Sequence, residues 1–166
     1  RVPKTEIIAA AEERGMLFRE DSTNEKLDYA RNVVRHRVLP ELLRLWPVGR
    51  EKLLDLADDA HKVASYALIK ALEETHFKSE KKGGATVSAH CSREGLSTLP
   101  DPIALAVLAH MAQSTSAGGW KQLSRANLLK VLTAARNGGQ PRFVLEMSKG
   151  VYLEATADRV RSFPGP

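Results

Sequence analysis

A chain of 166 residues, 43% hydrophobic and 27% charged, is long enough to bury a core as one domain or two small ones, and its composition excludes wholesale disorder. No apolar run is long enough to cross a bilayer and no charged-then-apolar leader is evident, so no membrane partner is expected. The net charge is +5, and the lone Cys91 excludes an internal disulfide, which suits a reducing cytoplasm; His90 beside it is too little for a zinc site.

The chain begins at Arg1 and enters a predicted helix at residues 5–14 almost at once, as a piece of a longer protein would. Ile7, Ile8 and Ala11 are its expected inward face, and Gly15 its stop. Residues 16–19 lead as a loop or short strand into the most closely patterned stretch, Asp21 to Pro40. Ser22 with Glu25 three residues later reads as a capping box, and Asp21 and Asn24 add oxygens near the first-turn amides. Leu27, Ala30, Val34 and Val38 recur at helical spacing and predict a buried face, while Asp28, Arg31 and Arg35 form a polar stripe on another. A merely solvated helix carries a similar stripe. Two arginines flanking Asn32, behind a tight cap and before Pro40, favour a functional helix.

The order Glu20-Asp21-x-x-Asn24, then Tyr29-x-Arg31-Asn32-x-x-Arg35, Leu39-Pro40 and Trp46-Pro47, preceded by Val2-Pro3-Lys4-x-Glu6-Ile7, resembles tRNA(Ile)-lysidine synthases of the PP-loop ATPase superfamily. In that family the motif lies at the end of the ATP-binding domain, and the family's Ser-Gly-Gly-x-Asp-Ser type of nucleotide loop is absent from these residues. The resemblance therefore implies the carboxyl-terminal part of a ligase that joins lysine to the wobble cytidine of tRNA(Ile). ATP with Mg is implied as cofactor, held by the missing amino-terminal domain, so this chain alone is expected to be inactive. Adenylation of the cytosine carbonyl oxygen would create a leaving group that the lysine amine displaces. Arg31 and Arg35 are the implied catalytic cations, because a guanidinium keeps its charge and grips phosphate bidentately. Asp21, Asn24 and Asn32 are implied to hold that region in shape. The competing structural role pairs Arg31 with Asp28 or Asp21.

Trp46-Pro47-Val48-Gly49 is the expected boundary, dividing an end of the ATP-binding domain at 1–48 from a helical tRNA-recognition domain at 49–166. A long helix is predicted from Arg50 to about His76, with Leu53, Leu56, Ala57, Ala60, Val63, Ala64, Ala67, Leu68, Ala71 and Leu72 as its apolar stripe. Residues 78–84 read as polar and mobile, and residues 85–89 as a brief strand. Asp101-Pro102 starts a helix, and Ser124 caps another that ends at Asn137-Gly138-Gly139. Alternation on either side of Ser148-Lys149-Gly150 predicts a hairpin over 142–155, and residues 159–163 a further short strand. The expected fold is mainly α, a bundle-like domain with a long helix and a short C-terminal antiparallel β-hairpin.

Residues 100–166 carry eight basic side chains against four acidic ones, so the surplus charge concentrates there. Phosphate neutralisation would draw a polyanion to such a region. The candidate tRNA-binding residues are Lys121, Arg125, Arg136, Arg142, Lys149, Arg159 and Arg161, each of which a solvated helix or turn would equally expose. Trp120 suits a core or lid role better than base stacking. Asp58-Asp59 and Glu73-Glu74 read as the wet side of the long helix. The alternatives to a ligase fragment are a stand-alone helical RNA-binding module without catalysis and a protein-interaction domain with an incidental basic tail.

Overall fold

Helix α1, Lys4–Glu13, opens a computed structural model that describes residues 2, 4–17, 28–116, 123–137, 142–148 and 150–165. The glycine stop acts as expected. Gly15 takes a left-handed φ of 62°, its N–H donates to the Glu12 carbonyl, and the Met16 N–H donates to the Ala11 carbonyl at 2.9 Å. Those two bonds satisfy carbonyls that the helix end leaves open.

The capping box of Ser22 and Glu25 itself lies outside the described residues, with Asp21, Asn24 and Leu27. Tyr29 is extended (φ −102°, ψ 128°) and α2 covers Ala30–Val33. A π-helical turn follows at Val34–Val38, closed by the Leu39 N–H on the Val34 carbonyl, and α3 covers Leu39–Leu45. Pro40 supplies a reason for the widened turn. It has no N–H for the His36 carbonyl and its ring crowds that carbonyl, so the ladder upstream shifts register.

The chain forms two compact units, Arg1–Ala57 and Asp58–Pro166, and the division falls inside helix α4, Gly49–Glu74. Among the described residues of the first unit no apolar side chain is buried; Asn32, at 2% exposure, is the buried side chain there. The predicted stripe of Ala30, Val34 and Val38 is exposed instead. Helix α4 shows a similar departure. Residues 50–64 are exposed on every side, Ala67, Leu68 and Leu72 are half-buried, and of the expected stripe Ala71 alone is buried. Helix α4 ends with His76 in the left-handed region (φ 52°), and the Phe77 N–H donates to the Leu72 carbonyl at 2.9 Å.

The second unit overturns the mainly α expectation. Five strands, β1 (Lys78–Lys82), β2 (Ala85–Ser92), β3 (Phe143–Ser148), β4 (Val151–Ala155) and β5 (Arg159–Pro164), form one antiparallel sheet in the order β1-β2-β5-β4-β3. The C-terminal hairpin is therefore one edge of a larger sheet, and the stretch read as mobile is its other edge strand. The correction has a physical cause. Lys-Ser-Glu-Lys-Lys is exposed along its whole length and carries no apolar alternation, so its pairing with β2 depends on backbone bonds, on the Ser88 hydroxyl donating to Glu80 at 2.8 Å and on the Gly83-Gly84 turn, both glycines at positive φ.

Helices α5 (Arg93–Thr98), α6 (Asp101–Ser114) and α7 (Arg125–Arg136) cover one face of this sheet. Two cross-strand rows face them, Ala89–Ser162–Leu153–Leu145 and Cys91–Val160–Ala155–Phe143. They meet Leu96, Val107, Leu108, Met111, Val131 and Leu132 in the core, all at 1% exposure or less. Burial pushes the Cys91 thiol up to about 12 against the opposing effect of its bond with the Val160 backbone, so it stays protonated.

Candidate functional site

Strand alternation sends every second residue of the sheet to the face opposite the helices. One row on that face runs Lys78–His90–Arg161–Glu154–Val144, crossing all five strands. Its centre is unexpected. Glu154 is 1% exposed, because two guanidiniums lie over it: Arg142 donates Nε–H to Oε1 at 2.5 Å, and Arg161 donates Nε–H to Oε2. Burial pushes the Glu154 carboxyl up, but the hydrogen bonds and charges of Arg142 and Arg161 outweigh it and leave the group below the ordinary carboxylate range.

Both arginines remain half-exposed or more, and Nε is the atom each of them commits to a hydrogen bond among the described residues. Their terminal amino groups are therefore held in a fixed place and left available. A groove of about 390 Å³ opens beside them, lined by Arg142, Glu154, Thr156, Asp158, Arg159 and Arg161. Thr156 tightens its floor by donating its hydroxyl to Asp158 Oδ1 at 3.1 Å, and this bond leads the causes that lower the Asp158 carboxyl. Three guanidiniums stand against two carboxylates, so the groove is positive by one charge. Next to it on the same face, the near-parallel rings of Tyr152 and Phe163 lie 5.8 Å apart, and the Arg161 guanidinium sits 4.8 Å above the Phe163 ring.

The other C-terminal candidates divide. Arg125 begins α7 and is exposed; Lys121 and Lys149 lie outside the described residues. Arg136 is occupied: its guanidinium donates to Asp101 Oδ1 at 2.7 Å and to the Leu99 and Ser97 carbonyls at 2.8 and 3.3 Å. Thus three of the seven, Arg142, Arg159 and Arg161, share one groove. Glu154, which organises two of them, was missed by sequence reasoning, although its place between Val151, Leu153 and Ala155 signals the polar face of a hairpin.

Arg93 was missed too, and it is structural. Buried at 8% exposure, it donates to the Ala135, Ala134 and Asn137 carbonyls at 2.6, 2.9 and 3.0 Å and to the Thr156 carbonyl at 2.5 Å. A cation at the carboxyl end of α7 both fills open acceptors and suits the helix dipole. It also holds the β4–β5 turn, and with it one wall of the groove.

In the first unit, Arg31 and Arg35 are exposed and make no ion pair with a described residue. The Arg31 guanidinium lies 5.2 Å over the Tyr29 ring, and Arg35 sits in the π-helical turn beside His36 and Arg37. Asn32 is buried behind them, its backbone N–H donating to the Tyr29 carbonyl at 2.8 Å. Asp21 and Asn24 lie outside the described residues. Among the described residues there is no group of three or more His, Cys, Asp or Glu that could hold a metal ion, and no helix is long and apolar enough to cross a membrane.

Residues 1–42 match the PP-loop domain family. The chain is 33% identical over 82 residues to a tRNA(Ile)-lysidine synthase of Vibrio atlanticus (strain LGP32), covering 49% of this chain and 18% of that protein. It is 32% identical over 93 residues to a tRNA(Ile)-lysidine synthase of Geobacter sulfurreducens, covering 54% and 20%. With that of Hydrogenovibrio crunogenus the identity is 43% over 56 residues, covering 33% and 13%. The chain is thus similar to tRNA(Ile)-lysidine synthases, as the motif around Arg31 and Arg35 implies, and spans a fifth or less of the length of these relatives.

Proposed function

We propose that this chain is the carboxyl-terminal part of a tRNA-modifying ligase that joins lysine to the wobble cytidine of tRNA(Ile) with ATP. Residues 1–48 are the end of its ATP-binding domain, and residues 49–166 recognise tRNA. The observation that carries this reading is the first unit's lack of any buried apolar side chain among the described residues, over the stretch that matches a PP-loop domain. A 42-residue match with Ile7, Val34 and Val38 exposed is half of a packing arrangement, and the remainder of a nucleotide-binding domain is its natural complement.

ATP supplies the adenylate that turns the cytosine carbonyl oxygen into a leaving group. Arg31 and Arg35, exposed and held by a structured helix, fit the phosphate charge that develops in that step. Asn32 braces the helix from within, and the resemblance assigns a supporting role to Asp21 and Asn24, which lie outside the described residues. The resemblance assigns ATP with Mg²⁺ to the remainder of the ATP-binding domain. Arg142, Arg159 and Arg161 contact tRNA phosphates through the groove around Glu154.

The test is lysidine formation. The longer protein containing this chain should convert a tRNA(Ile) transcript in the presence of ATP and lysine, and this chain by itself should bind tRNA without converting it. A longer protein that binds tRNA(Ile) and leaves its wobble cytidine unchanged overturns the ligase reading.

A further inference from the structure

We infer that the open face of the sheet holds one unpaired nucleotide of the bound RNA, its base stacked on the Tyr152–Phe163 pair and its phosphate gripped by Arg142 and Arg161. This deepens the tRNA-binding reading and rests on it. Four observations meet at this place. Tyr152 and Phe163 are register partners on neighbouring strands, half-buried and near-parallel, on the face the helices leave uncovered. Neither ring is needed in the core, since Val151, Leu153, Val160 and Ser162 fill the other side of the same two strands. The Tyr152 ring is braced from the chain end: Gly165 runs so close that a Cβ there would lie 2.3 Å from Tyr152 Cε2, and the Gly165 N–H ties to the Gly150 carbonyl at 2.9 Å. Arg161 links the two halves, its Nε on Glu154 and its guanidinium carbon 4.8 Å from the centre of the Phe163 ring.

The chemistry selects the ligand. A guanidinium pair whose Nε atoms are fixed by one carboxylate offers terminal N–H groups to a tetrahedral oxyanion, and the half-buried ring pair beside it offers exposed aromatic surface on which any base can stack. Glu154 acts as a positioning residue, setting the spacing of the two arginines. The bases of an A-form duplex are already stacked on one another and cannot reach such a platform, so a duplex would gain the phosphate contact alone. A single unpaired nucleotide gains both.

Fluorescence anisotropy with the full chain and two labelled RNAs, an unstructured oligoribonucleotide and a blunt duplex of equal charge, tests the inference. Tyr152→Leu and Phe163→Leu should each weaken the unstructured RNA by roughly tenfold and the duplex hardly at all, the effect expected for losing one stacked base. Tyr152→Phe, which keeps a ring, should bind like the parent and guards against misreading an unfolded variant. Glu154→Gln should weaken both RNAs, because the arginine spacing is lost for either. If both leucine variants circulate as folded proteins and bind the unstructured RNA as the parent does, the platform is overturned while phosphate-based binding stands. If the parent binds neither RNA at low salt, the tRNA-binding reading falls and the inference with it.

Discussion

Glu154 and Arg161 are cross-strand partners on β4 and β5, and the buried carboxylate accepts the Arg161 Nε–H on one oxygen while Arg142 takes the other. Removing its charge should cost stability as well as order in the groove. Glu154→Gln should lower unfolding free energy by about 1–3 kcal/mol, the range for losing charge-assisted bonds to a buried group. The pH dependence follows from the sign of the shift. The folded carboxyl sits below its ordinary 4.5, so its contribution is complete above about that pH and is lost as pH falls through the lower folded value. Melting curves taken from neutral into acid should therefore fall more steeply for the parent than for Glu154→Gln.

Arg93 closes the carboxyl end of α7 with bonds to the Ala134 and Ala135 carbonyls of the helix, to that of Asn137 just beyond it, and a fourth to Thr156. Arg93→Ala removes all four bonds and leaves the buried Ala134 carbonyl without its guanidinium donor and the Ala135 carbonyl with the Ser97 hydroxyl alone, and should destabilise the second unit by about 3 kcal/mol or more. Arg93→Lys should recover little, since an ammonium has no planar fork. Urea titration should show a lower midpoint in both variants with a nearly unchanged slope.

His76 occupies a left-handed position that glycine takes at lower cost. Because it ends α4 with the Phe77-to-Leu72 bond already in place, His76→Gly should raise stability, by about 0.5–1 kcal/mol. A thermal melt reads this directly, and a lower melting temperature would mean that the imidazole contributes more than the strain removes.

Arg31→Ala and Arg35→Ala in the longer protein should sharply reduce lysidine formation and change thermal stability little, because both side chains are exposed. Arg31→Lys should not restore full turnover. Turnover and melting temperature measured on the same preparations separate a role in the reaction from a role in the fold. Full turnover in both alanine variants would remove the pair from the site.

Binding of tRNA should weaken steeply with salt, and Arg142→Gln and Arg159→Gln should each reduce the slope of log affinity against log salt by about one. Arg136→Gln makes the contrast. Its guanidinium already serves Ser97, Leu99 and Asp101, so this variant should lose stability and keep the parent slope.

What the sequence by itself determined is whatever short-range pattern encodes. Asp101-Pro102 marks the start of α6, the apolar spacing after Ser124 marks α7, and alternation on either side of Lys149 marks β3 and β4. The motif of Tyr29, Arg31, Asn32 and Arg35 likewise stands in the residues and points to the same relatives that the comparison found. Tertiary structure decided the rest, because the deciding contacts join residues far apart in the chain. Strand β2 pairs with β5 across some seventy residues, which no local window reads, and that pairing turns a hairpin into a five-stranded sheet. Edge strand β1 has no buried side to leave a pattern. The apolar spacing of Val34, Val38 and the first half of α4 was legible, but spacing names a face without saying what covers it. Arg142 and Arg161 were each visible as charges; their convergence on Glu154 exists only once β4 and β5 lie side by side.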